Sequence, residues 1–535
     1  MLINAQFWSW WVSRAQGGEP WLALAVSAAL AYQATVLPTI FWWFVGRMRR
    51  PVHRRPPRGL RVAMVTLCVP SCESLEVVEG QLRALRAVRY PHDSWILDEG
   101  GSPAVRELAR RYGARYFSRA GIERWNQPGP PHQRKTKAGN VNAWLAFIAE
   151  NGIDYDVFVQ LDIDHRPDRR YLDRVLGHFD DPAVAWVQAP SVCGNLEMWT
   201  ARGLAEQDVV LQGPLQMGFY GSSRTPFIIG SHTSYRTSAV REIGGFQPTR
   251  AEDHLDTVVL AAHGYRGVYV PEIIAVGDGP EDFGTYLRQQ YAWAYSMITV
   301  LFFWTPRLLR RYTLGQGFQF LFSQTWYLLW SVSMLALWAA PLVALLSDRR
   351  IADASLAEYL LYFTPLALWG WLTWCFARPW FHPHGLRISW RGMVLTVARW
   401  PVVLLALLSV LLRIERPYMI TPKGVATGTR RALVVHGPLL ACATVALGGI
   451  WLSRALAHTN GVRGYVLLAL INALITVVAS GTILLLEIRH VRAVNGSAGH
   501  RLRPPHGAFA WLVGLVGALA TTTLLFWDSL RAGVS

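Results

Sequence analysis

Residues 157–167 read VFVQLDIDHRP. A run of strand-forming residues stops at two acids, Asp162 and Asp164, with only Ile163 between them. Carboxylates this close repel one another unless positive charge lies between them. Period-two alternation predicts that both face the same side of an extended strand, toward one hard cation, Mg2+ or Mn2+. A lone Asp-x-Asp is common, and taken singly such an acid reads as an N-cap or loop carboxylate. What surrounds the pair decides between the two readings.

From about Leu60 to Pro280 the surroundings alternate strand and helix. LRVAMVTLCVP (60–70) reads as a buried strand, LEVVEGQLRALRAV (75–88) as a helix, SWILDEGG (94–101) as a strand ending in acids, and AVRELARRYGA (104–114) as a helix. This order implies an α/β domain with a mostly parallel sheet and its site at the C-terminal ends of the strands. The first strand leads into VPSCES (69–74) with no GxGxxG, which argues against a dinucleotide fold. Further acids fall near strand ends or loops: Asp98, and Glu252 with Asp253 in TRAEDH (249–254).

The rest of the chain is apolar. The protein has 535 residues, 52% of them hydrophobic, with 25 Trp and a formal charge of +17. A basic balance fits nucleic-acid binding in a soluble protein, but here the Arg residues lie between long apolar blocks, as in a multi-span membrane protein with cytosolic positive loops. Nucleic acid is therefore not an expected partner, and the lipid bilayer is. Five cysteines without paired CxxC knuckles argue against structural zinc.

The first block, Trp21 to Gly46, is too long for a signal-peptide core and reads as a retained span bent near Pro38. Seven Arg between Arg47 and Arg61 place its C-terminal end in the cytosol. Later spans are expected at roughly 318–347, 357–377, 432–456, 463–487 and 507–527. A further block, 391–412, has basic flanks on both sides, so it is expected to lie in the interface or re-enter, leaving six spans. The expected layout is a first span within 1–46, a basic linker 47–60, a cytosolic α/β domain 61–304, two spans within 305–390, the interfacial helix 391–412, a cytosolic loop 413–431 and three spans within 432–535.

The acids recur in a characteristic order. Lys137 in KTKAGNVNAWL (135–145) lies between the first two acidic sites, VQAP (187–190) follows the Asp-x-Asp, and GSHTSYRTSAVREIGGF (230–246) precedes Glu252. YLRQQYAWAYS (286–296) stands just before the membrane region, and PYMITPKG (417–424) follows the interfacial helix. This series resembles the family 2 glycosyltransferases, in particular the processive membrane synthases of the cellulose, hyaluronan and chitin synthase type. The resemblance covers Arg61 to Trp304 in motif detail and implies a GT-A-type cytosolic domain within an α-helical multi-span membrane region.

That resemblance implies roles. Asp98 contacts the donor's base or ribose, Lys137 lies near the diphosphate, and Asp162 and Asp164 hold the Mg2+ or Mn2+ that neutralises the leaving diphosphate. Glu252 and Asp253 match the acids of the TED motif, with Asp253 the general base. Gln289 and Trp293 match the first and last positions of QxxRW, with the Trp ring beneath the acceptor sugar. Thr421 and Lys423 of the gating-type loop close over the donor.

Departures are visible. DDG reads Asp98-Glu99-Gly100, TED reads Ala251-Glu252-Asp253, and the Arg of QxxRW is Ala292. Arg288, one helical turn earlier, is the expected substitute cation for the donor. His165 and His254, each following an acidic motif, are expected to support ligands by hydrogen bonding.

The function implied is a plasma-membrane, inverting β-glycosyltransferase that polymerises a UDP-sugar, foremost UDP-glucose, onto a growing polysaccharide and threads it across the membrane. UDP-N-acetylglucosamine as donor, a lipid acceptor, and an inactive nucleotide-sugar-sensing transporter remain alternatives. The residues name no accessory protein.

Overall fold

The computed structural model describes residues 2–249, 252–414, 432–456, 462, 464–497 and 505–527. Thr421 and Lys423 lie outside them. Among the described residues there are nine strands: β1 (Val62–Cys68), β2 (Asp93–Asp98), β3 (Arg115–Phe117), β4 (Val157–Leu161), β5 (Arg166–Pro167), β6 (Val184–Gln188), β7 (His232–Arg236), β8 (Arg266–Tyr269) and β9 (Ala275–Val276). Seven form one sheet in the order β3-β2-β1-β4-β7-β6-β8, and β5 pairs with β9 in a small antiparallel ribbon.

All the pairings of the large sheet are parallel except those of β7, which runs against both β4 and β6. The continuous apolar runs in β1, β4 and β6 follow from this placement. These central strands are covered on both faces, so every position meets a core. One core holds Val62, Met64, Val159 and the helix Leu75–Arg86, and the other holds Val65, Phe158 and the helix Lys137–Glu150.

The membrane region is a set of long apolar helices. Among the described residues, seven segments are long and apolar enough to cross a bilayer: Pro20–Val45, Leu314–Ser347, Leu356–Trp380, Trp390–Leu411, Leu433–Ala455, Gly464–Asn495 and His506–Leu525. The first is irregular, but the irregularity is a wider turn over Ala31–Val36, just ahead of Pro38. Proline offers no N–H and crowds the carbonyl four residues earlier, so the disturbance falls on the preceding turn.

The helix Gly464–Ser497 runs about ten residues beyond the expected 463–487, because EIRHVRAVN contains no helix breaker. Trp390–Leu411, the block whose crossing the flanking charges opposed, meets the length and apolarity criteria as fully as the other six. Leu395 and Ala398 lie against Trp199 and Leu204 of the helix Trp199–Asp208 and against Phe283, Tyr286 and Leu287 of the helix Phe283–Thr299.

Candidate active site

The site forms where the sheet's topology reverses. Because β7 is antiparallel to β4, His232 pairs with Leu161. The loop entering β7 therefore lies beside the chain leaving β4, and the Asp162 N–H donates to the Ser231 carbonyl at 2.8 Å. The helices Lys137–Glu150 and Glu252–Ala262 both begin here. Thr136 caps the first, its Oγ1 accepting from the Gly139 N–H at 3.0 Å. Their positive dipole ends suit an anionic ligand.

The two acids of the opening stretch converge, though not as alternate residues of one strand. β4 ends at Leu161, and Asp162 to Asp164 form a turn closed by the His165 N–H donating to the Asp162 carbonyl at 2.9 Å. The reason is local. The strand pairing with β7 stops at His232, and the next amide, that of Asp162, is diverted to the entry loop.

Asp162 does not face Asp164 alone. Lys137 Nζ donates to Asp162 Oδ1 at 2.8 Å and to the Gly230 carbonyl at 2.6 Å, and lies 3.6 Å from Glu252 Oε1. Gly230 adopts φ +75°, and a Cβ there would stand 3.0 Å from Asp253 Oδ2. Glycine is required on both counts. Asp253 Oδ1 accepts from the His254 N–H at 2.9 Å. Burial, then the neighbouring Glu252, push the Asp253 carboxyl up to about 7. Burial raises Glu252 as well, with Lys137 opposing.

Asp164 is buried, and its Oδ2 accepts from the Asp278 N–H at 2.9 Å. Its other oxygen is 3.7 Å from His165 Nδ1. That nitrogen is buried and has no hydrogen-bond partner among the described residues, while Nε2 lies 3.3 Å from Ser191 Oγ. A ligand atom from each of Asp162, Asp164 and His165 lies within 4.8 Å of the others. His165 thus stands within ligating reach, nearer than the supporting role expected for it. Its ring rests on Gly277, where a Cβ would come within 2.1 Å of the ring. The β5–β9 ribbon brings that glycine into place, pairing Arg166 with Val276. His254 is not part of this group: it is buried, its Nε2 3.0 Å from Gln324 Nε2, and burial lowers its pKa to about 3.

One cavity of about 2030 Å³ joins these residues, lined by Lys137, Asp162, Asp164, Glu252 and Asp253 and also by Arg288, Gln289, Ala292 and Trp293 of the helix Phe283–Thr299. Arg288 Nη2 donates to Thr285 Oγ1 at 2.7 Å, one turn toward the N-terminus, as helical side chains lean. The guanidinium and Ala292 share the cavity wall.

Asp98 is the exception. It is fully buried, and its carboxylate accepts from the N–H groups of Gly100, Gly101 and Ser102 and from the Tyr116 hydroxyl. Those four donors consume its acceptor capacity in shaping the loop after β2. The structure does not bring it to the cavity, whose wall there is made by Glu99 and Gly100. Glu99 is itself clamped by Arg119 through two bonds of 2.8 Å.

Glu73 is a site residue that the motif reading passed over. It lines the cavity and accepts from the Val69 N–H at 2.7 Å. Burial raises it to about 7, with Asp164 and Asp162 adding to the rise. The available signal was an acid in the loop leaving the first strand, VPSCES.

The model of glycosyl transferase family group 2 matches residues 157–525, more than half of the chain. The chain belongs to this family. Its sheet is mostly parallel and of GT-A type, and among the described residues seven segments are long and apolar enough to cross a membrane. It is 25% identical over 344 residues to the UDP-forming cellulose synthase catalytic subunit of Komagataeibacter sucrofermentans, covering 61% of this chain and 43% of that one. A UDP-forming cellulose synthase catalytic subunit of Dictyostelium discoideum is 29% identical over 181 residues, 33% of this chain and 16% of that protein. The probable glucomannan 4-beta-mannosyltransferase 7 of Oryza sativa subsp. japonica is 23% identical over 308 residues, 51% of this chain and 49% of the relative. The matches thus span less than half the length of these relatives. Among solved structures, the mannosyltransferase PcManGT of Pyrobaculum calidifontis, in complex with GDP-Man and Mn2+, superposes with a TM-score of 0.50 at 17% identity. The match covers 74% of this chain and all of that one. This likeness bears on the fold.

Proposed function

We propose that this family 2 transferase is a processive, inverting β-glycosyltransferase that uses a UDP-sugar, foremost UDP-glucose, and extends a polysaccharide from the cytosolic face of the plasma membrane. The observation that carries the reading is the single cavity. Its lining includes the carboxylates beside the end of β4 and the start of β7, Gln289 and Trp293, and Trp326 and Trp330 of the helix Leu314–Ser347. The UDP-forming relatives and the acid order support the donor class.

The residues present fit a divalent metal. Two carboxylates, the half-buried Asp162 and the buried Asp164, and the His165 ring bring ligand atoms within 4.8 Å of one another. Asp162 and Asp164 would hold Mg2+ or Mn2+, with His165 in reach. When bound, the ion supplies charge neutralisation to a leaving diphosphate. The chain's own cations act beside it. Lys137, held by hydrogen bonds to Asp162 Oδ1 and to the Gly230 carbonyl, and Arg288, on the wall of the same cavity, serve the same anionic group.

Asp253 removes the acceptor hydroxyl proton. The acceptor oxygen then forms a bond to the anomeric carbon on the face opposite the departing UDP. The bond to the diphosphate oxygen breaks, and its electron pair leaves with UDP. A carboxyl pushed up to about 7 is a stronger base than an ordinary carboxylate, which suits it to this step. Trp293 supports the acceptor sugar from below.

The packing of Trp390–Leu411 on the helices Trp199–Asp208 and Phe283–Thr299 supports its interfacial placement.

The test uses the purified chain in lipid nanodiscs with radiolabelled UDP-glucose, UDP-N-acetylglucosamine and GDP-mannose, each with Mg2+ or Mn2+. Products are sized and digested with linkage-specific hydrolases. Long β-linked product from a UDP-sugar is expected. UDP binding without turnover of any donor assigns the chain to nucleotide-sugar sensing and overturns the reading.

A further inference from the structure

The membrane-side arm of the cavity has a composition that sugar stacking alone does not require. At its inner end lies Arg399, on the apolar helix Trp390–Leu411 and 5% exposed. Its Nη1 donates to Gln290 Oε1 at 2.8 Å, and the guanidinium sits 4.9 Å from the Trp326 ring and 5.1 Å from the Trp330 ring. Its Nε is buried and has no hydrogen-bond partner among the described residues. Among the described residues no carboxylate comes within 4.0 Å of it. Asp208 acts on it only from farther off.

A charge held in an apolar helix is costly unless it is paired. The guanidinium stands within cation–π distance of two indoles, and its planar fork suits two-pronged contact with phosphate or carboxylate oxygens.

The other end of this arm opens outward. Trp371, Trp374, Trp390 and Met393 line the cavity yet are 61%, 38%, 47% and 61% exposed, so they form its mouth and face out of the protein. They belong to the helices Leu356–Ala377 and Trp390–Leu411, both long and apolar enough to lie in the bilayer. Arg378 and Arg387, also on the cavity wall, stand in the connection between those helices. The arm thus joins an apolar, bilayer-facing mouth to three arginines, with Asp208 the acid on its wall.

We propose that this arm binds an anionic amphiphile, its phosphate at Arg399 and its hydrocarbon tail leaving between Trp371 and Trp390. The same cavity leads to Trp293 and Asp253, so a phosphate-bearing lipid held there brings its head toward the transfer site. Naming this ligand as the acceptor, or as the carrier of the first sugar, rests on the proposed glycosyl transfer. The binding itself does not. A bilayer phospholipid shares the phosphate-and-tail chemistry and is the other source.

The test is equilibrium binding to the delipidated, detergent-solubilised full chain, read by quenching of Trp fluorescence and by native mass spectrometry. The probes are farnesyl phosphate, phosphatidylglycerol, neutral farnesol and a soluble glucuronate oligosaccharide. Both phosphate amphiphiles should bind about tenfold to a hundredfold more tightly than farnesol. Arg399→Gln should erase that difference while UDP affinity stays unchanged, and Arg399→Lys should restore part of it.

Trp371→Ala alters only an exposed mouth residue. It should weaken farnesyl phosphate more than its short-chain analogue isopentenyl phosphate, and this variant decides the matter if Arg399→Gln fails to fold. Equal binding of farnesol and farnesyl phosphate, or anion selectivity undiminished in Arg399→Gln, overturns the proposal. So does preference for the soluble glucuronate, which assigns the arm to an acidic glycan. Incorporation of labelled sugar into farnesyl phosphate identifies the acceptor. Binding of both phosphate amphiphiles without incorporation identifies a bilayer-lipid site and leaves the transferase reading to its own test.

Discussion

Replacing Lys137 by methionine separates two jobs that its position gives it. The ammonium lies 2.8 Å from Asp162 Oδ1 and 3.6 Å from Glu252 Oε1, and its side chain is only 16% exposed. Unit charges 3.6 Å apart attract by about 4–5 kcal/mol at an effective dielectric constant of about 20. The ammonium divides this influence among Asp162, Glu252, the Gly230 carbonyl and, more remotely, Asp253, whose carboxyl it lowers.

Asp253 already stands at about 7 through burial and Glu252, with Lys137 holding it down. Removing the cation raises it further. A shift of about one unit, equivalent to about 1.4 kcal/mol, is the expected share of so divided a charge. A general base acts in its ionised form. The acidic limb of kcat/KM against pH, near 7 in the native chain, should therefore move to about 8 in Lys137→Met. Through the base alone, activity at pH 7 should fall about fivefold and be largely regained at pH 9. The assay is initial-rate release of UDP across pH 5.5–9.5, with UDP affinity measured separately by calorimetry at each pH. A limb that stays near 7 while only UDP affinity falls would show that Lys137 serves the diphosphate alone, and the electrostatic account of Asp253 would be wrong.

Asp253→Asn, which keeps shape and removes the base, should lower transfer by about 10²–10⁴-fold while UDP affinity is retained, and substantial polymer from the variant removes Asp253 from the mechanism. Asp164→Ala should abolish activity together with tight Mn2+ binding read by electron paramagnetic resonance, and full native turnover in excess chelator would sink the metal assignment. Gly277→Ala places a methyl where the His165 ring lies, so Mn2+ affinity should fall with the sheet domain still folded, whereas unchanged affinity would confine His165 to a supporting role. Ala292→Arg should rescue the UDP affinity lost in Arg288→Ala if the family's motif charge has moved one turn, and normal UDP binding by Arg288→Ala refutes that transfer.

The sequence alone determined which chemistry is present. Strand alternation and helical period are local properties, so VFVQL, LEVVEGQLRALR and the apolar blocks each disclosed their element without knowing their neighbours. The order of Lys137, Asp162, Asp164, Glu252, Asp253, Gln289 and Trp293 disclosed the family for the same reason, since a motif is a local signature.

What tertiary structure decided was which groups remain available. Asp98 looked like a donor contact, yet three amides just beyond it and Tyr116, brought alongside by β3, use up its oxygens. Glu73 looked like an ordinary loop acid until folding buried it beside Asp162 and Asp164. Arg399 sits in a stretch that reads simply as an apolar helix, and only the approach of Gln290, Trp326 and Trp330 from two other helices turns it into a held cation on a cavity wall. Desolvation and hydrogen-bond saturation are set by atoms distant in the chain. A sequence therefore names candidate acids and bases, and the fold decides which of them face a ligand.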